Sequence, residues 1–152
     1  MSDLIARRAR FAELDPAELY EILRLRVDVF VVEQDCPYPE LDGRDTEPDT
    51  VHLWYQRDGR VAAYLRVLAE PDGLARIGRV CTAADERGAG LAGGLLARAL
   101  DQIGPGPVAL AAQSHLTAFY ARYGFRPDGA EYLEDGIPHT PMVRRREAGL
   151  TT

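Results

Sequence analysis

The stretch from Arg87 to Gly93, RGAGLAG, contains residues that could hold a phosphate. Gly88 and Gly90 precede an apolar periodic segment that predicts a helix from Leu91 to Ile103. Glycines at a helix N-terminus let backbone N–H groups approach an anion without hindrance from a Cβ atom, and the helix dipole favours negative charge there. Arg87 adds a positive charge beside the turn. The turn therefore suits either phosphate binding or close packing of the helix on the strand, and its residues alone do not decide between the two.

The letters GAGLAG also satisfy the dinucleotide pattern G-x-G-x-x-G, but their setting differs from that of a nicotinamide site. Such a site places its first glycine directly after a buried parallel strand and an acidic residue about 20 residues later. Here the polar residues AADER precede the turn, and the corresponding later position is Gln113. A Walker A loop is excluded because the chain contains no Lys.

Strand and helix patterns surround this turn, in the order βα, βββ, αβα, ββ. Asp15 and Pro16 predict the start of a helix that runs to residue 34 and is interrupted near Val27. The acid- and proline-rich residues 35–50 predict a loop. Further helix patterns cover 91–103 and 114–124, and strand patterns cover 5–11, 51–56, 60–68, 74–83, 107–113 and two segments around Asp135-Gly136. These elements predict an α/β protein with a mixed sheet.

Composition narrows the function further. A length of 152 residues predicts a single domain spanning 1–152, and the net charge of −6 argues against nucleic-acid binding and favours cationic partners such as amines. Apolar runs are too short for a membrane span or a signal peptide, which predicts a cytoplasmic protein without membrane partners. Cys36 and Cys81 fit no CxxC spacing, so we expect no metal site. Dimers are the commonest soluble oligomers, which makes a homodimer the assembly to test for.

Two spaced motifs resemble the signatures of the GNAT (GCN5-related) N-acetyltransferases. Residues 87–92 are similar to the R/Q-x-x-G-x-G/A signature. Residues 113–125 are similar to N-x-x-A-x-x-x-Y-x-x-x-G-F, with Gln113 in place of Asn and Leu116 in place of Ala. The segments LRLRVDVFVVEQDCPYPELDGRDTEPDTVHL, AQSHLTAFYARYGF and EDGIPHTPM resemble the ElaA-like branch, and this likeness extends over nearly the whole chain.

The resemblance implies the GNAT fold, a central mixed and mostly antiparallel sheet of about six to seven strands, splayed at the middle and flanked by about four helices. It implies acetyl-CoA as co-substrate in the gap between the splayed strands. The backbone of Val80, Cys81 and Thr82 would pair with the pantetheine arm as an added strand does. The pyrophosphate would lie in the turn formed by Arg87, Gly88, Ala89, Gly90, Leu91 and Ala92, and Gln113 and Tyr120 complete the acyl-CoA site.

Acetyl transfer to a primary amine by direct attack needs a base, stabilisation of the oxyanion and a proton for the leaving thiolate. Backbone N–H groups near Val80 or Cys81 can polarise the thioester carbonyl. Tyr120 is the predicted general acid, because it matches the tyrosine of the second signature and its unperturbed pKa is about 10; packing alone is the alternative role. Candidates for the base are Glu33, His52 and His139, and a water relay is the alternative, since the strand before the turn offers Arg79 instead of a carboxylate.

Other residues have a structural and a functional interpretation. His115 fits a helix cap, and Cys81 fits a small strand residue better than an acylated nucleophile. The acidic residues from Asp35 to Asp49, with Glu134 and Asp135, form either a solvated charge run or an entrance that selects cationic amines, with Asp42 and Asp45 as the test positions. For the whole chain, the alternatives to an acetyltransferase are a non-catalytic acyl-CoA-binding module and an acyltransferase for longer acyl groups.

Overall fold

The computed structural model describes residues 3–145, and within them eight strands form one open sheet in the order β1-β2-β3-β4-β5-β8-β6, with β7 paired to β8. The strands are β1 Ile5–Arg10, β2 Val51–Arg57, β3 Arg60–Ala69, β4 Ala75–Thr82, β5 Val108–Gln113, β6 Arg126–Pro127, β7 Tyr132–Glu134 and β8 Ile137–Arg144. All pairings are antiparallel except that of β4 with β5. The mixed, mostly antiparallel sheet is confirmed. It exceeds the expected six to seven strands because Arg126–Pro127 adds a short strand beside β8.

Three α-helices occur in the described part of the chain: α1 Pro16–Val27, α2 Leu91–Ile103 and α3 Thr117–Ala121. The Asp15 carboxylate caps α1 by accepting a hydrogen bond of 2.8 Å from the backbone N–H of Glu18. After Val27 the chain continues as a π-helical segment over Asp28–Glu33, which accounts for the predicted interruption and reduces the expected four helices to three. None of the described helices is long and apolar enough to cross a membrane.

The two faces of the sheet carry separate apolar clusters, one packed under α2 and the other under α1. On one face, Leu95, Leu96 and Ala99 of α2 are completely buried. They pack with Leu53, Leu65, Ile77, Val108, Leu110, Phe125 and Met142. On the other face, Ile22, Leu25 and Val29 pack on Trp54, Val61 and Tyr64. Burial of these side chains on both faces fixes the sheet as the middle layer.

The sheet splits in the middle, between β4 and β5. These strands pair only at Ala75 with Val108 and at Arg76 with Ala109, and then diverge. Residues 77–82 of β4 therefore have no strand partner on the β5 side within the described chain, whereas β3 still pairs with their other side. The predicted splay at the centre of the sheet is confirmed, and it leaves a free strand edge facing a gap.

Candidate active site

The gap between β4 and β5 widens into an open cleft of about 600 Å³. Six of the residues predicted for the site line this cleft: Glu33, Val80, Arg87, Gln113, Tyr120 and His139. They come from the π-helical segment, β4, the glycine turn, β5, α3 and β8. Segments that are distant in sequence thus converge at one place because β5 and β8 pair beside the split, with Gln113 opposite His139.

The glycine turn lies where β4 leads into α2. Gly88 has φ +88° and Gly90 has φ +76°, and an added Cβ would meet no atom within 4 Å at either position. Glycine is therefore needed for the left-handed backbone, while the space around the turn stays open. Gly90 is the N-cap of α2 and has no side chain to cap the first-turn N–H groups. Ala89, Leu91 and Ala92 contribute to the same turn; Leu91 buries its side chain in the core.

Arg87 connects the turn to the opposite wall of the cleft. Its Nε donates to the carbonyl oxygen of Thr82 at 3.1 Å, and its two Nη atoms donate to the two Glu33 carboxylate oxygens, both at 2.7 Å. This bidentate pair lowers the pKa of Glu33. A carboxylate held in this way is a weak base, so the geometry does not favour Glu33 as the group that deprotonates an amine.

Tyr120 lies on α3 with 6% of its surface exposed. Its ring makes edge-to-face contacts with Phe119 and Phe125, at centroid distances of 5.0 and 6.1 Å. Burial, and to a smaller extent the neighbouring Cys81, raise the pKa of Tyr120 to about 12. The hydroxyl therefore remains protonated at neutral pH, as a proton donor must.

His139 lies on β8 beside the hairpin formed with β7. Its Nδ1 is 2.8 Å from the carbonyl oxygen of Ile137, and its ring stacks on Tyr132 at a centroid distance of 5.8 Å. A carbonyl oxygen can only accept, so Nδ1 carries the hydrogen in the neutral ring and Nε2 carries the lone pair. Nε2 lies 3.8 Å from a carboxylate oxygen of Glu134. The ring is thus held in the tautomer that a general base requires.

The other predicted candidates lie elsewhere or are chemically unsuited. His52 does not line the cleft; it is buried, with Nδ1 2.6 Å from the Tyr64 hydroxyl and Nε2 3.1 Å from the Asp45 carbonyl oxygen. Burial lowers the pKa of His52. With both ring nitrogens occupied inside the protein, His52 has a structural role, and the structure does not support it as the base. Burial raises the pKa of the Cys81 thiol, which disfavours a thiolate nucleophile. His115 is exposed at the cleft edge.

The acidic loop, residues 35–50, contains buried ion pairs and is therefore not a solvated charge run. Arg26 pairs with Glu40 and Asp45, both at 2.7 Å, and all three side chains are at least nine-tenths buried. Arg66 pairs with Asp42 and, at 3.0 Å, with Asp45. The expectation of a solvated run is therefore wrong for Glu40 and Asp45. Asp42 and Asp45 are already neutralised by arginines and cannot serve as the cation-selecting pair.

Charge pairing leaves a small acidic excess at one end of the cleft. The arginines of its wall are matched: Arg66 and Arg79 by the loop carboxylates, Arg76 by Glu70, and Arg87 by Glu33. Within residues 3–145, neither Glu134 nor Asp135 forms an ion pair with an arginine. The unmatched negative charge of the cleft wall therefore belongs to the β7–β8 hairpin.

β4 contains a distortion that the strand pattern of residues 74–83 does not predict. Arg79 has φ +56°, and the register of β3 and β4 shifts between Tyr64 and Arg66. Glycine inside a strand often marks a bulge, so Gly78 was the available signal. The partners of Arg79 lie in the acidic loop, and no sequence pattern predicts that contact.

Comparisons with known proteins agree with this geometry. Residues 24–146 match the model of the acetyltransferase (GNAT) domain family. The UPF0039 protein of Mycobacterium tuberculosis is 52% identical over 142 residues, which cover 91% of each chain. ElaA of Escherichia coli is 40% identical over 139 residues, covering 88% of this chain and 91% of that protein.

Solved structures show the same likeness. The crystal structure of an acyl-CoA N-acyltransferase from Pseudomonas aeruginosa has a TM-score of 0.89 at 47% identity, covering 93% of this chain and 99% of that one. The crystal structure of E. coli ElaA has a TM-score of 0.88 at 36% identity, covering 94% and 100%.

Proposed function

Because this chain belongs to the GNAT acetyltransferase family and has ElaA among its homologues, we propose that it transfers the acetyl group of acetyl-CoA to a primary amine. The observation that carries the proposal is the meeting of three features at one cleft: the free β4 edge at Val80, Arg87 of the glycine turn, and the protonated Tyr120. The first two features suit an acyl-CoA arm and its phosphates, and the third suits the thiolate that leaves.

The donor site uses backbone groups for most of its contacts. Along residues 77–81, the edge of β4 that faces β5 has no strand partner within the described chain, so a pantetheine amide chain can pair with the N–H and C=O groups of this edge as an added strand does. The N–H groups at the start of α2, beside Gly88 and Gly90, are suited to bind the pyrophosphate of an acyl-CoA. Arg87 supplies the adjacent positive charge once its pairing with Glu33 is shared or exchanged.

The proposed catalytic roles follow from the protonation of two side chains, the Tyr120 hydroxyl and the His139 ring. Tyr120 donates its proton to the departing thiolate, for which its raised pKa keeps it ready at neutral pH. His139 is the base best supported by geometry, since its Nε2 lone pair is available beside the cleft. Backbone N–H groups at Val80 or Cys81 stabilise the oxyanion.

The acceptor is proposed to be a cationic amine. An alkylamine of pKa near 10 arrives protonated at neutral pH. Among the described residues, Glu134 and Asp135 are the carboxylates of the cleft wall without an arginine partner. Attraction to this hairpin would bring the ammonium close to His139, which then removes the proton. The net charge of −6 adds a general attraction for cations.

A thiol-release assay tests the proposal. Wild-type protein is incubated with acetyl-CoA and a panel of polyamines, aminoglycosides, amino acids and peptide N-termini. We expect amine-dependent release of CoA, fastest with acceptors that carry additional positive charge. Binding of acetyl-CoA without thiol release across the panel would instead support a non-catalytic acyl-CoA-binding module. Faster turnover of a longer acyl-CoA would support a different acyl group.

A further inference from the structure

Arg79 adopts a backbone conformation that is unusual for its residue type and position. In the described chain, four other non-glycine residues have positive φ, and all are aspartates outside the strands: Asp35, Asp58, Asp72 and Asp135. Aspartate tolerates the left-handed region in turns, whereas arginine inside a strand does so only when its surroundings hold it. Here Tyr64 pairs with Cys81 and Arg66 pairs with Gly78, so that Leu65 faces two residues of β4. This is a β-bulge.

The acidic loop holds the Arg79 side chain from several directions. Nε donates to the Glu40 carboxylate at 2.9 Å and Nη2 donates to the Glu40 carbonyl oxygen at 3.0 Å. Nη2 also lies 3.4 Å from an Asp42 carboxylate oxygen, and the guanidinium lies 5.6 Å from the centre of the Tyr38 ring. Glu40 is itself fixed by Arg26 at 2.7 Å and by the Tyr38 hydroxyl at 2.6 Å. Glu40, held in place by Arg26 and Tyr38, thus anchors the Arg79 side chain.

We propose that Arg79 is a positioning residue for acyl transfer, whose anchorage to Glu40 fixes the β4 bulge and so directs the backbone N–H groups of Val80 and Cys81. The bulge comprises Arg79 and Val80, and β5 has already diverged at this level, so within the described residues no strand fixes the edge on that side. The side chain acts through the backbone and takes no part in proton transfer. This inference rests on the proposed function, because it concerns the groups that would face the thioester carbonyl.

Through the contact of Glu40 with Arg79, the acidic loop would also orient backbone groups of the site, in addition to stabilising the fold. Each peptide N–H is aimed by the φ and ψ angles on either side of it, so a relaxed Arg79 would turn the following peptide groups away from their target. Loss of a single oxyanion donor typically lowers kcat about 10²- to 10³-fold, so misdirection of the donors at Val80 and Cys81 is a measurable defect.

The test compares Arg79→Ala and Arg79→Gly with the control Arg44→Ala. Glycine accepts the left-handed backbone but offers no anchor, so it separates loss of the anchor from local strain. Arg44 belongs to the same loop and pairs with Glu47 and Glu70, but it does not line the cleft. Three quantities are measured: kcat with the best acceptor, the dissociation constants of CoA, acetyl-CoA and S-ethyl-CoA, and amide hydrogen exchange of residues 77–83.

We expect both Arg79 variants to lower kcat by about tenfold or more, with the Kd of CoA within about threefold of wild type. Exchange in residues 77–83 should increase, and the tighter binding of acetyl-CoA relative to S-ethyl-CoA, which lacks the carbonyl, should disappear. Arg44→Ala should match wild type in each quantity. Unchanged kcat and exchange in Arg79→Gly would overturn the inference, as would a rise in the Kd of CoA equal to the loss of kcat.

The binding and exchange measurements do not depend on turnover. A wild-type protein that binds acetyl-CoA but acetylates no amine would contradict the proposed function, while the carbonyl preference and the exchange of β4 would still decide the role of Arg79. If Arg79→Ala fails to fold, Arg79→Gly and Arg79→Lys decide, because lysine keeps the charge but lacks the planar fork that reaches two oxygens of Glu40.

Discussion

Tyr120 and His139 both line the cleft, and they are the proposed general acid and general base. Replacing the Tyr120 hydroxyl in Tyr120→Phe should lower kcat by about 10²- to 10⁴-fold, the range of general acid catalysis, and leave the Kd of acetyl-CoA unchanged. Steady-state kinetics and calorimetry measure the two quantities. Tyr123→Phe is the matched control, because the Tyr123 hydroxyl lies over Gly93 of α2 and outside the cleft. Equal turnover in both variants would refute the acid role.

The raised pKa of Tyr120 also sets a pH dependence. A phenol donates its proton only below its pKa, so a shift from 10.0 to about 12 extends the competent range upward. We predict that wild-type kcat does not decline between pH 7 and about pH 10 through loss of this proton. A pH–rate profile measures this directly, and an alkaline limb with an apparent pKa near 9 would contradict the assignment.

His139→Gln should lower kcat/KM for the amine by about 10²-fold at neutral pH, because the amine then has no base. The loss should shrink as the pH approaches the amine pKa of about 10, since free amine no longer needs a base. His115→Gln, at the exposed edge of the cleft, serves as the comparison. A defect that is constant across the pH range would point to a structural role for His139.

For single residues, the sequence indicated some functional roles and gave no basis for judging others. The spacing of Arg87, Gly88 and Gly90 before a helix indicated a turn that could bind an anion, and the likeness to the GNAT signature made this a prediction of an acyl-CoA site. His52 could not be judged in the same way. Its burial depends on the Asp45 carbonyl oxygen in the loop and on the Tyr64 hydroxyl, and neither contact has a periodic pattern.

Among the elements, the turn before α2 depends most on glycine. Gly88→Ala should cost about 1 to 2 kcal/mol in the turn, because a Cβ disfavours φ +88°. We expect the strain to appear as weaker acetyl-CoA binding, by about 5- to 30-fold, with the fold intact. Calorimetric titration measures it against Gly106→Ala, a site without positive φ. Similar affinities in the two variants would argue against a role of the turn in binding.

The acidic loop is the element whose stability depends on buried charge. Asp45→Asn removes the charge that pairs with both Arg26 and Arg66, and we predict a loss of about 3 to 5 kcal/mol in the free energy of unfolding. Urea denaturation measures this loss. Asp49→Asn, exposed in the same loop, should stay within about 0.5 kcal/mol of wild type. Similar values for both variants would show that the network adds little stability.

The same network predicts sensitivity to acid. Burial alone would raise the pKa of Asp45, but the hydrogen bonds and charges of Arg26 and Arg66 outweigh it and lower the pKa. The ionised form is therefore favoured in the folded state, and its contribution is present above the ordinary pKa of 3.8 and lost as the pH falls below it. His52 acts in the same direction at higher pH: with its pKa lowered from 6.5, stability decreases as the pH falls from that value.

The elements themselves were largely predictable. The capping residue Asp15, the apolar period of α2 and the turns between β2, β3 and β4 are local signals, and the helix Leu91–Ile103 has the expected bounds. The bulge at Arg79 has one local signal, the glycine at position 78, whereas the contact of Arg79 with Glu40, 39 residues earlier in the chain, has none.

At the scale of the whole molecule, the split sheet creates the site. Pairing of β4 with β5 for only two residues opens the cleft, and pairing of β5 with β8 places His139 beside it. Residue periodicity predicted the strands but not their divergence. The divergence was predicted from the likeness of two short motifs to GNAT signatures. The mixed sheet therefore followed from local patterns, and the position of the cleft followed from the family resemblance.

Detection of the acetylated product tests the central claim most directly. Wild-type protein is incubated with acetyl-CoA carrying a trideuterated acetyl group and with the acceptor that releases most thiol, and the amine is analysed by mass spectrometry. The proposal predicts one labelled amide for each CoA released, and loss of both in Tyr120→Phe. Hydrolysis of acetyl-CoA to CoA and free acetate without a labelled amide, or no release of CoA with any amine of the panel, would contradict it.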